Sequence, residues 1–155
     1  MSIQTEVEQL RRIPLFAQID TSKLKLIAFT SERLSFDAGA ALFREGDPGD
    51  SAYLILKGSV DVTVSSPNGP VSVAELGQNA LVGEMALLCD VPRTASVTAK
   101  EPLDTLKIKK DLFLQLLRDL PQMTLEIMRE LAERLNNANR ELSAAHAKLR
   151  AAGLE

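Results

Sequence analysis

"FDAGAALFREGDPGDSAYLILKGSVDV", residues 36–62, sets short alternating apolar runs between glycines at 39, 46, 49 and 58. Runs such as "ALFR", "AYLILK" and "SVDVTV" have the length and rhythm of strands, and Pro48-Gly49 and Gly58 mark turns between them. The same rhythm extends from Glu32 to about Lys109, through "ERLSF", "VSVAEL", "TASVTA" and "LDTLKIK", with a further break at Gly77. Asn68-Gly69 in "SSPNGP" is suited to the positive φ angles of a hairpin turn. Together these features predict a mainly β domain, a jelly roll (double-stranded β-helix) with flanking helices.

The flanks carry a different period. "QTEVEQLRRI" and "TSKLKLIAFTS" place Leu and Ile at three- and four-residue spacings on either side of "PLF" at 14–16, so residues 1–30 read as helical, with Thr21 or Ser22 as N-cap of the second piece. After the strands, Asp111 is suited to cap a short helix "DLFLQLLRDL", and Pro121 to open another. In that last helix Met128, Leu131, Leu135, Ala138, Leu142, Ala145 and Leu149 alternate spacings of three and four, a heptad seam flanked by Arg134, Glu141 and Lys148 at g positions. Beyond Asn136 the seam predicts a homodimer contact, because a small β domain has little surface to cover so long a helix. The expected organisation is a unit of residues 1–120 and a C-terminal helix of residues 121–155.

Bulk properties narrow the function. The 155 residues suit one core plus an appendage, and a net charge of −3 lacks the basic footprint of sequence-independent nucleic-acid binding. No apolar run approaches the length of a membrane span, the start lacks a secretory pattern, and the single Cys89 excludes an internal disulfide framework. A cytoplasmic protein with no membrane contact is expected.

The chemistry concentrates in "GEMALLCDVPRTASV", residues 83–97. A short apolar strand passes through Gly83 into a brief helix, so the amides of Glu84, Met85 and Ala86 are helix-start donors that favour an anion. Gly83 permits close backbone approach, and Ala86 and Ala95 keep bulk away. Arg93 has a planar fork suited to phosphate oxygens. A carboxylate beside an anion site must serve a donor instead, and Glu84 suits a hydroxyl such as that of a ribose. Singly, each feature has a commoner meaning: Gly-Glu as a helix cap, Arg after Pro as a turn residue.

The whole run, however, resembles the phosphate-binding cassette of the cyclic nucleotide-binding domains, with Gly83, Glu84, Ala86, Leu87, Pro92, Arg93, Thr94 and Ala95 at matching places. The similarity extends to "LRRIPLFAQIDTSKLKLIAF" and to the glycines of residues 36–62, covering about residues 10–135. The resemblance implies a ligand, cAMP or cGMP, and no cofactor. It implies that Glu84 accepts from the ribose 2′-OH and that Arg93 binds the exocyclic phosphate oxygens. Gly83, Met85, Ala86 and Ala95 would act through backbone or close approach, and the Thr94 hydroxyl would touch the phosphate or a guanine amino group. Val82 stands where an aromatic residue is frequent in the family. Val73 and Val97 would wall the base, with Arg134 and Asn137 of the long helix capping it.

Other features point nowhere specific. Cys89 lacks redox or metal partners in the sequence, His146 falls off the seam, "EGDPGD" lacks a calcium-loop pattern, and "KIKK" at 107–110 has the look of a solvated face. No catalytic set can be assembled, so the expectation is a non-enzymatic sensor that signals by movement of its C-terminal helix to a separate effector. Nothing beyond the heptad pattern offers a recognition helix, so DNA binding by this chain is not expected. The alternative is a degenerate interaction or dimerisation domain without a ligand, against which a pocket holding Glu84 and Arg93 unpaired would weigh.

Overall fold

The computed structural model describes residues 3–154; Met1, Ser2 and Glu155, which the sequence reading included in its terminal segments, lie outside the described residues. The chain opens with α1 (Ile3–Arg11), a 3₁₀ turn (Pro14–Phe16) and α2 (Thr21–Thr30). Eight strands follow: β1 (Glu32–Phe36), β2 (Ala41–Phe43), β3 (Ser51–Lys57), β4 (Val60–Val64), β5 (Val71–Leu76), β6 (Leu81–Val82), β7 (Ser96–Ala99) and β8 (Leu103–Lys109). Helix α3 (Glu84–Cys89) interrupts them, and α4 (Lys110–Asp119) and α5 (Pro121–Ala151) complete the chain.

The strands form two antiparallel four-stranded sheets, β1-β8-β3-β6 and β2-β7-β4-β5, so the chain repeatedly crosses from one sheet to the other as a double-stranded β-helix does. Strand β3 is buried along both faces. Its period of two sends Tyr53 and Ile55 between the sheets, with Val60, Val82, Val97 and Leu103, and sends Ala52 and Leu54 outward to a helical layer. That layer packs Phe16, Leu24, Ile27, Phe113 and Leu116 against the outer face of the first sheet. Truncating the fully buried Phe113 to Ala would cost about 3–5 kcal/mol.

Local signals hold with adjustments. Thr21 is the first helical residue and not the N-cap of α2; Asp20 occupies the cap position, and the Thr21 hydroxyl accepts from the Arg11 guanidinium at 2.7 Å. Lys109 precedes α4, so Asp111 stands inside its first turn, where a negative charge still suits the helix dipole. In the β4–β5 hairpin Gly69 takes positive φ (104°) while Asn68 does not. The turn closes by reciprocal bonds between Ser66 and Gly69, with Pro67 fixing the backbone after Ser66.

Pro121 opens α5 as expected, and Met123 and Ile127 anchor its first turns in the helical layer. The helix has 31 residues, roughly 46 Å. Leu131 still packs on the domain, but Met128, Leu135, Leu142 and Leu149 are exposed, and every described residue from 135 onward faces solvent.

Candidate ligand-binding site

The end of β6 turns through Gly83 in the left-handed region (φ 83°) into α3, which Asp90 terminates in the same region (φ 53°). A Cβ at Gly83 would lie 2.5 Å from Arg93 Nη1 and 3.3 Å from the Ser51 carbonyl oxygen, so both conformation and space demand glycine. The turn after β2 packs on the same element: a Cβ at Gly49 would fall 2.5 Å from Ala86 Cβ. Backbone bonds from Arg93 N to Asp47 O (2.8 Å) and from Gly46 N to Arg93 O (2.9 Å) stitch that turn to the Pro92-Arg93 segment. The "EGDPGD" run thus acts as a turn that seats Arg93.

Arg93 is 4% exposed. Its Nη1 donates to the Gly83 carbonyl at 2.9 Å and its Nη2 to the Ser51 carbonyl at 2.7 Å. The guanidinium lies 4.0 Å from the centroid of the Phe43 ring, and Asp50 is 4.0 Å from Nη2. The buried Nε has no hydrogen-bond partner. Burial lowers the Arg93 pKa from its usual range, against the pull of nearby Tyr53 and the acids at 50, 47 and 84.

Glu84 is likewise 4% exposed. Its Oε1 accepts from Arg134 Nη1 at 3.0 Å, while Arg134 Nη2 donates to the Leu81 carbonyl at 2.8 Å and to Glu130. Burial pushes the Glu84 carboxyl above its ordinary value, and the Arg134 charge opposes the shift.

Both side chains line one cavity of about 150 Å³. Val82, Gly83, Glu84, Met85, Ala86, Arg93, Thr94, Ala95, Val97 and Arg134 all reach it. Two residues named from the sequence do not. Val73 is half-exposed because β5 carries a bulge opposite Val62 and Thr63; the extra residue shifts the alternation, and Ala74 and Leu76 face the cavity in its place. Asn137 follows Arg134 on a part of α5 that has already left the domain. Phe43, Val62, Ala74 and Leu76 complete the wall, unforeseen because strand parity across the bulge and the β2 contact are non-local facts. The result is an apolar chamber with a buried carboxylate and a buried guanidinium set into its lining, a form suited to a small polar ligand with one apolar face.

Among proteins with similar sequences, the CRP-like cAMP-activated global transcriptional regulator of Mycobacterium tuberculosis is 27% identical over 137 residues, covering 88% of this chain and 61% of that protein. The cAMP-dependent protein kinase regulatory subunit of Aspergillus niger is 35% identical over 108 residues, 70% of this chain and 26% of that one. In structure, the Thermus thermophilus Catabolite Activator Protein superposes with a TM-score of 0.72 at 31% identity, covering 86% of this chain and 63% of that one. The chain spans less than two thirds of the length of each of these three. Residues 33–119, from β1 through α4, match the model of the cyclic nucleotide-binding domain, and the chain belongs to that family.

Proposed function

We propose that this chain is a cyclic-nucleotide sensor that binds cAMP or cGMP in the cavity between Glu84 and Arg93 and reports through α5, with no catalysis of its own. One observation carries the reading: a carboxylate and a guanidinium, each 4% exposed, line one largely apolar chamber that Thr94 and Arg134 also reach. A carboxylate accepts from a sugar hydroxyl, a guanidinium donates to phosphate oxygens, and apolar walls take a purine face. In this reading Thr94 and the α3 backbone serve the phosphate, and Val97, Val62 and Leu76, which line the same cavity, serve the base.

The ligand works by exchange of partners. A ribose hydroxyl competes with Arg134 for Glu84, and the released guanidinium becomes available to the base. Since Arg134 belongs to α5, occupancy of the cavity and the position of the helix are linked, and the nucleotide shifts that equilibrium by its preference for one position. Residues 1–120 then form the binding unit and residues 121–155 the output. The exposed α5 seam of Met128, Leu135, Leu142 and Leu149 serves a homodimer, and a separate cytoplasmic effector receives the signal without DNA contact by this chain. No helix among the described residues is long and apolar enough to cross a membrane.

The reading of a ligand-free interaction domain has one observation in its favour. Both buried charges already have protein partners, so the stability argument against an empty pocket loses its force. Calorimetric titration with cAMP, cGMP and a cyclic dinucleotide decides between the two. One cyclic mononucleotide per chain should bind and raise the Tm. Absence of heat and of any Tm shift at millimolar nucleotide would leave the interaction domain as the function.

A further inference from the structure

We propose that Phe43 is a positioning residue that sets the strength with which Arg93 holds an anion. The inference rests on the sensor reading for its ligand and on the structure for its geometry. Arg93 is a buried cation whose nearest acid, Asp50, stands 4.0 Å away with a side chain 79% exposed. Two backbone carbonyls take the Nη donors, and neither neutralises the charge. Tyr53 and the acids at 50, 47 and 84 favour the charge from nearby, and the Phe43 ring adds a direct contact, with the guanidinium carbon 4.0 Å from its centroid, well inside the range of cation–π attraction.

The ring itself is held in place. Phe43 sits at the end of β2 opposite Val97, and its ring meets Tyr53 at a centroid distance of 6.0 Å. Tyr53 in turn meets Phe36 edge-on at 6.3 Å. On the other side Gly83 closes the layer, since a Cβ there would come 3.2 Å from the Phe43 ring as well as 2.5 Å from Arg93 Nη1. A π face differs from a carboxylate in the same place: it stabilises the cation without using a donor or cancelling its charge. Arg93 therefore keeps its full charge for an anion from outside, while its buried Nε carries no hydrogen bond in the nucleotide-free chain.

A double-mutant cycle read by cAMP titration tests this. Phe43→Leu should weaken cAMP by about tenfold, and Phe43→Trp, which restores a π face, should stay within about threefold of the parent. In an Arg93→Gln background, Phe43→Leu should change affinity by less than about twofold, because the residue acts through the guanidinium. An equal loss in both backgrounds would reduce Phe43 to a wall residue and overturn the proposal, as would full affinity in Phe43→Leu. Should Phe43→Leu not fold, Phe43→Met removes the π face at similar bulk and takes its place. If the parent chain binds neither nucleotide, the sensor reading fails, but the positioning claim is still decided by the Arg93 Nε–H resonance in the nucleotide-free protein. Phe43→Leu should move that resonance and speed its hydrogen exchange, and an unchanged signal would overturn the proposal.

Discussion

Arg134 Nη1 lies 3.0 Å from Glu84 Oε1 across fifty residues of sequence. The long helix thereby holds the carboxylate that the cavity presents, and the same guanidinium is tied to the Leu81 carbonyl on β6 and to Glu130 one turn back on α5. Arg134 is partly exposed and Glu84 is buried, so the contact can break outward only if the carboxylate finds another donor.

Arg134→Ala should destabilise the nucleotide-free protein by about 1–3 kcal/mol, because it leaves a buried acceptor without its charged donor. Denaturant melts check this. The double variant with Glu84→Gln should lose less than the sum of the two single losses, since the residues are in direct contact.

Arg93→Ala should weaken cyclic nucleotide binding at least tenfold, the loss of a charge-assisted bond of about 1.5–3 kcal/mol. From the sequence alone little effect on the fold would be expected. With two backbone carbonyls depending on its Nη groups, the variant should also lose about 1–3 kcal/mol of stability, visible as a lowered Tm.

Glu84 gives a pH dependence of opposite sign to that of an ordinary ion-paired carboxylate. Burial raises its native pKa above the ordinary 4.5, so the native chain takes up a proton at higher pH than the unfolded chain. Its contribution to stability therefore rises as pH falls through the raised native value and levels off below the ordinary one. The Tm difference between parent and Glu84→Gln, followed from neutral to acid pH, should shift in favour of the parent. Nucleotide affinity should fall over the same window, because a protonated carboxyl is the poorer acceptor for a ribose hydroxyl.

Gly83 and Gly39 have nearly the same backbone, with φ of 83° and 90°, but different surroundings. A Cβ at Gly39 meets nothing within 4 Å, whereas one at Gly83 strikes Arg93. Gly39→Ala should cost only the left-handed penalty of about 1–2 kcal/mol. Gly83→Ala should cost more and should displace Arg93, so its loss of nucleotide affinity ought to exceed anything seen for Gly39→Ala in parallel titrations.

Truncation after Asn136 removes Ala138, Leu142, Ala145 and Leu149 from the α5 seam while leaving Met123, Ile127 and Arg134 in place. Sedimentation should show the full chain as a dimer and the truncated one as a monomer that still binds nucleotide. A dimer that survives truncation would place the interface elsewhere.

The sequence carries the parts of this structure that are local. Glycines and alternation announce the strands, and the eleven residues from Gly83 to Arg93 hold enough turn chemistry to place two charges at the two ends of a short helix. The wall of the cavity depends instead on which strand lies beside which. Phe43 reaches Arg93 only through the pairing of β2 with β7, and the bulge at Val73 reverses the parity that its apolar neighbours suggest. The partner of Glu84 on α5 and one partner of Arg93, Ser51 on β3, are equally remote in sequence. Helix starts differ from the sequence expectation by one position at α2, with Asp20 before Thr21, and by two at α4, with Lys109 before Asp111, because several adjacent residues can begin a helix at similar cost.

Strand β3 has a mechanical consequence. With Tyr53 and Ile55 in the layer between the sheets and Ala52 and Leu54 against the helices, neither layer can come apart while the other stays packed. Heating should therefore melt sandwich and helical cover together, as one calorimetric peak, and a probe placed near Phe113 should report the same midpoint as one placed near Arg93.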